Sequence, residues 1–215
     1  MAKLKLNTFY SSLDDKTEDS KCLREFLNSK NFSSENILFN LEKSFKTKLV
    51  FKEHFYKDTK KSDIIKKIDS SISRVGYIKK KKIDVKQISD EFITNCQRHG
   101  SEDYLNTIYI TTNSFCAIVA TLNQVDDVSD LNTQLIQNKM LSYHQQNSSN
   151  VGPINWDSSQ GSNIGIDILL RKSTSFGILL IGNTVLSFSV FSVSNKNKQP
   201  DCKNISFGKV EETSS

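Results

Sequence analysis

IGIDILLRKSTSFGILLIGNTVLSFSVFSV, residues 164–193, is the most apolar part of a chain rich in lysine, serine and asparagine. Its first eight residues alternate: Ile164, Ile166, Ile168 and Leu170 share one face, with Gly165, Asp167 and Arg171 on the other. A period of two predicts a half-buried strand. Residues 171–175 are polar and suit a turn. Residues 176–181 form a continuous apolar run, the pattern of a strand covered on both faces. Gly182-Asn183 then supplies residues that tolerate positive φ, as a two-residue hairpin turn requires. Beyond it Leu186, Phe188 and Val190 alternate with Ser187 and Ser189, and the phase slips at Val190–Phe191. A slip of one residue predicts a β-bulge. The whole stretch therefore reads as a three-stranded antiparallel meander.

The same stretch has a rival reading. Residues 173–195 hold no charged residue, long enough for a membrane span. Six serines, two threonines and Asn183 interrupt it, and its alternation is not helical. A spanning helix carries such groups only at a cost, so the sheet reading is preferred and no membrane partner is expected.

Working outward, the N-terminal side is helical in pattern. Leu4 and Leu6 suggest a short first strand. Cys22, Leu23, Phe26 and Leu27 lie at helical spacing, as do Ile37, Leu38, Leu41 and Phe45 after a plausible cap at Ser33 or Ser34. These two helices form an αα-hairpin. Residues 47–56 read as a strand. Ile64, Ile65, Ile68, Ile72 and Val75 make a third helical stripe, capped by Ser62. Val85, Ile88, Phe92 and Cys96 make a fourth, opened by Asp84. Ile108 and Ile110, then residues 115–122, give two more strands. A polar helix is expected from about 126 to 143, then a loop over 145–161 with the only tryptophan, Trp156. Ile205 and Phe207 suggest a last short strand before a frayed tail.

Helices early and strands late argue for an α+β fold rather than alternating βαβ units. The expectation is one α+β domain over residues 1–215. Its antiparallel sheet comes mainly from the second half, and helices of the first half cover one face. A soft boundary falls near residue 100, between a basic helical half and a strand-rich half.

The 215 residues suffice for a core without disulfides or metals. A mean hydropathy of −0.44 is ordinary for a soluble chain. The net charge of +5 is unevenly spread. Residues 1–100 hold 22 Lys and Arg against 14 Asp and Glu, and residues 101–215 hold 7 against 10. The four cysteines are far apart with no CxxC. Cys22, Cys96 and Cys116 fall on apolar sides of elements, as core thiols in a reducing compartment do. Lys3 and Lys5 are followed by polar residues rather than a signal-length apolar run. An intracellular, cytoplasmic setting is expected, or a nuclear one in a eukaryote, where the lysine run would also suit nuclear import.

Catalytic chemistry finds little support. Cys96 and His99 have a C-x-x-H spacing, but no second ligand pair lies nearby. Cys116 sits in an apolar strand, an inert setting for a thiol. Neither G-x-x-x-x-G-K-[ST] nor G-x-G-x-x-G nor G-x-S-x-G occurs. No cofactor and no metal is implied. Asp58-Thr59-Lys60 and Asp84-Val85-Lys86 match the D-x-K of metal-dependent nucleases, but neither falls within a strand.

The positive signal is basic. Lys57, Lys60, Lys61, Lys66, Lys67 and the run Lys79, Lys80, Lys81 and Lys82, with Tyr56 and Tyr77 beside them, suit phosphate contacts and base stacking. Scarce arginine argues against base-specific readout. The bland reading is a solvated lysine surface. The leading expectation is a non-catalytic nucleic-acid-binding or assembly component. One alternative is a nuclease-like or other nucleic-acid-processing enzyme with a dispersed site. Another is a protein-interaction module using the 145–161 loop, with Trp156 as anchor.

Overall fold

The computed structural model describes residues 3–14, 16–29, 32–126, 163–193, 202 and 204–213. The expected polar helix and the loop with Trp156 lie outside the described residues, apart from the helix's first residue, Asp126. The elements are β1 (Lys3–Ser12), α1 (Glu18–Leu27), α2 (Ile37–Ser44), β2 (Lys48–Phe55), α3 (Lys61–Ile72), a 3-10 turn (Lys79–Lys81) and α4 (Lys82–His99). There follow β3 (Asn106–Thr112), β4 (Cys116–Gln124), α5 (Asn163–Lys172), β5 (Ser175–Ile181), β6 (Thr184–Ser192) and β7 (Asn204–Thr213). The fold is mixed α+β.

The strands form one seven-stranded sheet in the order β1-β7-β5-β6-β4-β3-β2. Every pairing is antiparallel except β5 with β7. The division into halves holds only roughly. β1 and β2 come from the first half and form the two edges, and α5 comes from the second.

Helices cover both faces, not the one expected. In β5, Phe176, Ile178 and Leu180 join the core under α3, α4 and α5, while Leu179 joins the core under α1 and α2. β4 divides likewise, with Ala117 and Val119 on one side and Ile118 and Ala120 on the other. A strand buried on both faces needs apolar residues throughout, which is why these strands read as near-continuous hydrophobic runs.

The same fact corrects the bulge expected near Val190. Val190 faces the α1/α2 core and Phe191 the opposite core. The pairings of β6 run without a register shift. What looked like a slip is two-sided burial along the strand, masked where serines hold the second face: Val185 and Phe191 share one core, Leu186, Phe188 and Val190 the other, and Ser189 is fully buried. The bulges lie instead in β1, between Thr8 and Tyr10, and in β2, between Leu49 and Phe51. The hairpin turn is as expected: Ile181 pairs with Thr184, and Gly182 takes φ of +55°.

The first strand of the supposed meander is helix α5. Its spacing holds both periods, since Ile164 and Ile168 are four apart as well as even-numbered. Leu169 and Leu170 are both buried while Arg171 is exposed, which a one-sided strand cannot provide. Lys172 Nζ reaches Asp84 Oδ1 at 2.7 Å and ties α5 to α4. None of the described helices is long and apolar enough to cross a membrane.

α1 begins at Glu18, with the expected acidic residues in its first turn, while the starts of α2, α3 and α4 differ from the sequence expectation by a few residues. Thr17 caps α1 by accepting from Ser20 N at 3.2 Å. α3 begins after Lys60, without a side-chain cap from Ser62. α2 begins at Ile37, after Asn36, and α4 at Lys82 rather than Asp84.

A buried polar junction joins α1 to the starts of β5 and β7. Asn204 Nδ2 donates to Thr17 Oγ1 at 3.2 Å and to Ser175 Oγ at 3.1 Å, and Asn204 Oδ1 accepts from Asp14 N at 2.8 Å. Thr174 Oγ1 donates to Asp19. Burial, aided by the neighbouring Glu18, raises the Asp19 pKa, with the Thr174 hydrogen bond opposing. A carboxyl with a raised folded pKa stabilises most below its unfolded value, about 3.9. That contribution is lost as pH rises through the folded value. Asp19→Asn, which keeps an acceptor for Thr174, should raise the melting midpoint at pH 7 and leave it little changed at pH 3. A lower midpoint at pH 7 would show that the charge itself is needed.

Candidate nucleic-acid interface

The ten sequence-predicted site residues do not form one patch. α3 and α4 are antiparallel partners joined through the 3-10 turn. Lys57, Lys60 and Lys61 lie at the start of α3, beside the end of α4. Tyr77 and Lys79–Lys81 lie at the far end of this helical hairpin, with Lys82 opening α4. A 12-residue helix separates the two groups by about 18 Å. Lys66 and Lys67 lie between them on α3.

Most of these lysines have carboxylate partners. Lys57 lies 3.6 Å from Glu102. Lys61 Nζ donates to Asp90 Oδ2 at 2.9 Å and to Thr94 Oγ1 at 3.0 Å, fastening α3 to α4. Lys66 lies 3.5 Å from Asp63, and Lys67 pairs with Glu53 on β2. Lys82 and Lys86 share Asp69 at 2.7 and 3.1 Å, holding its carboxyl below the usual range through their hydrogen bonds. Asp84 accepts Lys172, and Lys81 lies 3.8 Å away. Exposed pairs contribute little each, about 0–1 kcal/mol. Their effect here is to bind α3, α4, α5 and β2 into one layer and to spend positive charge internally.

Lys60, Lys79 and Lys80 differ. All three are exposed, and none has a carboxylate within ion-pair distance among the described residues. Lys79 and Lys80 stand beside Tyr77 and Ile83, exposed by 58% and 72%. Ile78, between them, is fully buried and anchors the turn. The turn is closed by Lys81 N to Ile78 O at 2.9 Å and Lys79 N to Val75 O at 3.2 Å. The sequence run YIKKKK and the following Ile83 thus form a hydrogen-bonded corner that exposes Lys79, Lys80, Tyr77 and Ile83.

At a second corner the sequence pointed to Tyr56, Lys57 and Lys60 but not to Tyr104, Leu105 or Glu102. The β2–β3 ladder ends at Phe55 opposite Asn106, so Tyr56 and Leu105 are the next residues outward. With Tyr104 they are exposed by about half. Beside them lies a hollow of about 480 Å³ lined by Tyr56, Lys57, Asp58 and Glu102. The signal was an aromatic and a leucine, Tyr104-Leu105, in a polar loop just before a strand.

Elsewhere the chemistry is muted. Burial pushes the Cys96 and Cys116 thiols up to about 12, which keeps them protonated. Cys96 is buried and His99 exposed, so the C-x-x-H pair does not converge. Asp58 lies in a turn and Asp84 in the first turn of α4. No group of three or more His, Cys, Asp or Glu able to hold a metal occurs among the described residues. A cleft of about 490 Å³ between α4 and α5 holds Lys86, Asp90, Glu91 and Lys172, with the Glu91 carboxyl pushed up by burial. Compared with known protein families, curated proteins and solved structures, the chain matches none.

Proposed function

We propose that this protein is a non-catalytic nucleic-acid-binding component that contacts phosphates through its basic corners. The observation that carries the reading is the Tyr77–Ile83 corner. There Lys79 and Lys80 remain open beside an exposed tyrosine, while most neighbouring lysines are neutralised. Lysines attract phosphate without reading sequence, and an adjacent aromatic can stack on a base. Contact at this corner is therefore electrostatic and indifferent to sequence.

Lys79→Glu/Lys80→Glu should weaken binding of a labelled oligonucleotide about ten-fold or more at low salt. The slope of log K against log salt should become shallower by about two. Lys66→Glu, altering a lysine already paired with Asp63, should do much less. Equal effects from both variants would place the phosphate contacts elsewhere, and no binding of DNA or RNA at low salt would end the reading.

A further inference from the structure

We infer that the hollow beside Tyr56 receives one unpaired base of a single-stranded nucleic acid, with preference for bases that carry an amino group. The inference rests on the nucleic-acid reading above and adds a ligand class and a second contact point. Its volume, about 480 Å³, is in the range of sites that hold a small planar group. Tyr56, which lines it, is exposed by 50% and leaves aromatic surface open there. Stacking on such a surface requires an unstacked base, which a duplex withholds.

The polar groups discriminate further. Asp58 and Glu102 line the hollow, and carboxylates accept hydrogen bonds only. They suit the amino groups of cytosine, adenine and guanine, as carboxylates do at cytosine N4. They repel a phosphate, so the backbone must stay outside, near exposed Lys60. Lys57, 3.6 Å from Glu102, holds that carboxylate at the rim.

The corner is also pre-organised. Tyr56 N donates to Thr59 Oγ1 at 3.0 Å and Thr59 N to Tyr56 O at 3.1 Å, closing the turn on itself. Gln97 Nε2 pins Thr59 O to α4 at 2.6 Å. The facing loop is fixed by Ser101 N to Gln124 O at 2.8 Å. Little ordering remains to be lost on binding.

The test is fluorescence anisotropy of the full chain with labelled oligo-dC, oligo-dT and a duplex of equal length. Expected are tighter binding of single strand than duplex and of dC than dT. Tyr56→Ala should weaken dC binding about five-fold or more, whereas Tyr56→Phe retains it. Asp58→Asn/Glu102→Gln should erase the preference for dC. These side chains are half-exposed or at the surface, and unchanged melting curves would confirm that each variant folds. Duplex bound as tightly as single strand, or a Tyr56→Ala variant that binds like the parent, would overturn the inference while leaving the lysine corner standing. Absence of all binding would remove both.

Discussion

Gly177→Ala should destabilise the protein by about 3 kcal/mol in urea or thermal unfolding, at the upper end of what overpacking costs. A Cβ at position 177 would lie 2.2 Å from Phe188 Cζ and 2.3 Å from Phe188 Cε1. The two residues are direct partners across the β5–β6 ladder, and the Phe188 ring lies over the glycine. The ring has nowhere to go. It is fully buried and meets Phe26 edge-on at 5.7 Å, and Phe26 meets Phe32 at 5.7 Å. Displacing it therefore strains α1 and the segment after it. Phe188→Ala alone should cost about 3–5 kcal/mol. The double variant should cost less than the sum, because the alanine methyl occupies space the ring has left. Strict additivity would mean that ring and glycine are not in contact in solution.

Gly100→Ala should cost about as much for a different reason. The residue has φ −73° and ψ 152°, which alanine adopts freely, so backbone conformation is not at issue. Space is. A Cβ would lie 2.4 Å from the Cys96 carbonyl oxygen, 2.6 Å from Asn123 Oδ1 and 3.1 Å from Asn106 Oδ1. The Cys96 carbonyl is main chain and already accepts Gly100 N at 2.8 Å, so the end of α4 would have to move. That end sets the position of the loop carrying Tyr104. Gly76 offers the control: a Cβ there meets nothing within 4 Å, and Gly76→Ala should stay within about 0.5 kcal/mol of the parent. Similar melting of the two variants would remove the steric account.

Legibility followed the strength of the periodic signal. The stripes Ile64–Ile65–Ile68–Ile72–Val75 and Val85–Ile88–Phe92–Cys96 identified α3 and α4; all are buried except Ile65 and Val75, which are half-buried, and Val75 lies past the end of α3. The Gly182 turn was equally plain. Residues 164–171 failed because eight residues can satisfy a period of two and of 3.6 together, and only packing against α4 decides. Two-sided burial of β6 was hidden because Ser187 and Ser189 looked solvent-facing, yet Ser189 is fully buried against Ser173. For the site, sequence located the lysines but not their partners. Asp69, Asp84, Asp90 and Glu102 neutralise lysines close in space, and Lys61–Asp90 and Lys172–Asp84 span 29 and 88 positions. Linear charge counting cannot see such pairing.

The pairing of β1 with β7 joins Lys3 to Thr213 and Ser12 to Ile205. On the ribosome β1 emerges well before its partner, with about 190 residues between them. At about 5–20 residues per second, β1 waits about 10–40 s without its neighbour. β5 waits as well, since one of its two flanks is β7. The sheet is completed only once β7 has been made, by a contact of very long sequence separation, the kind that slows folding. Until then the side of β5 that β7 will cover is an open template for other chains. Nascent protein is thus most vulnerable to aggregation in the interval between making β6 and freeing β7.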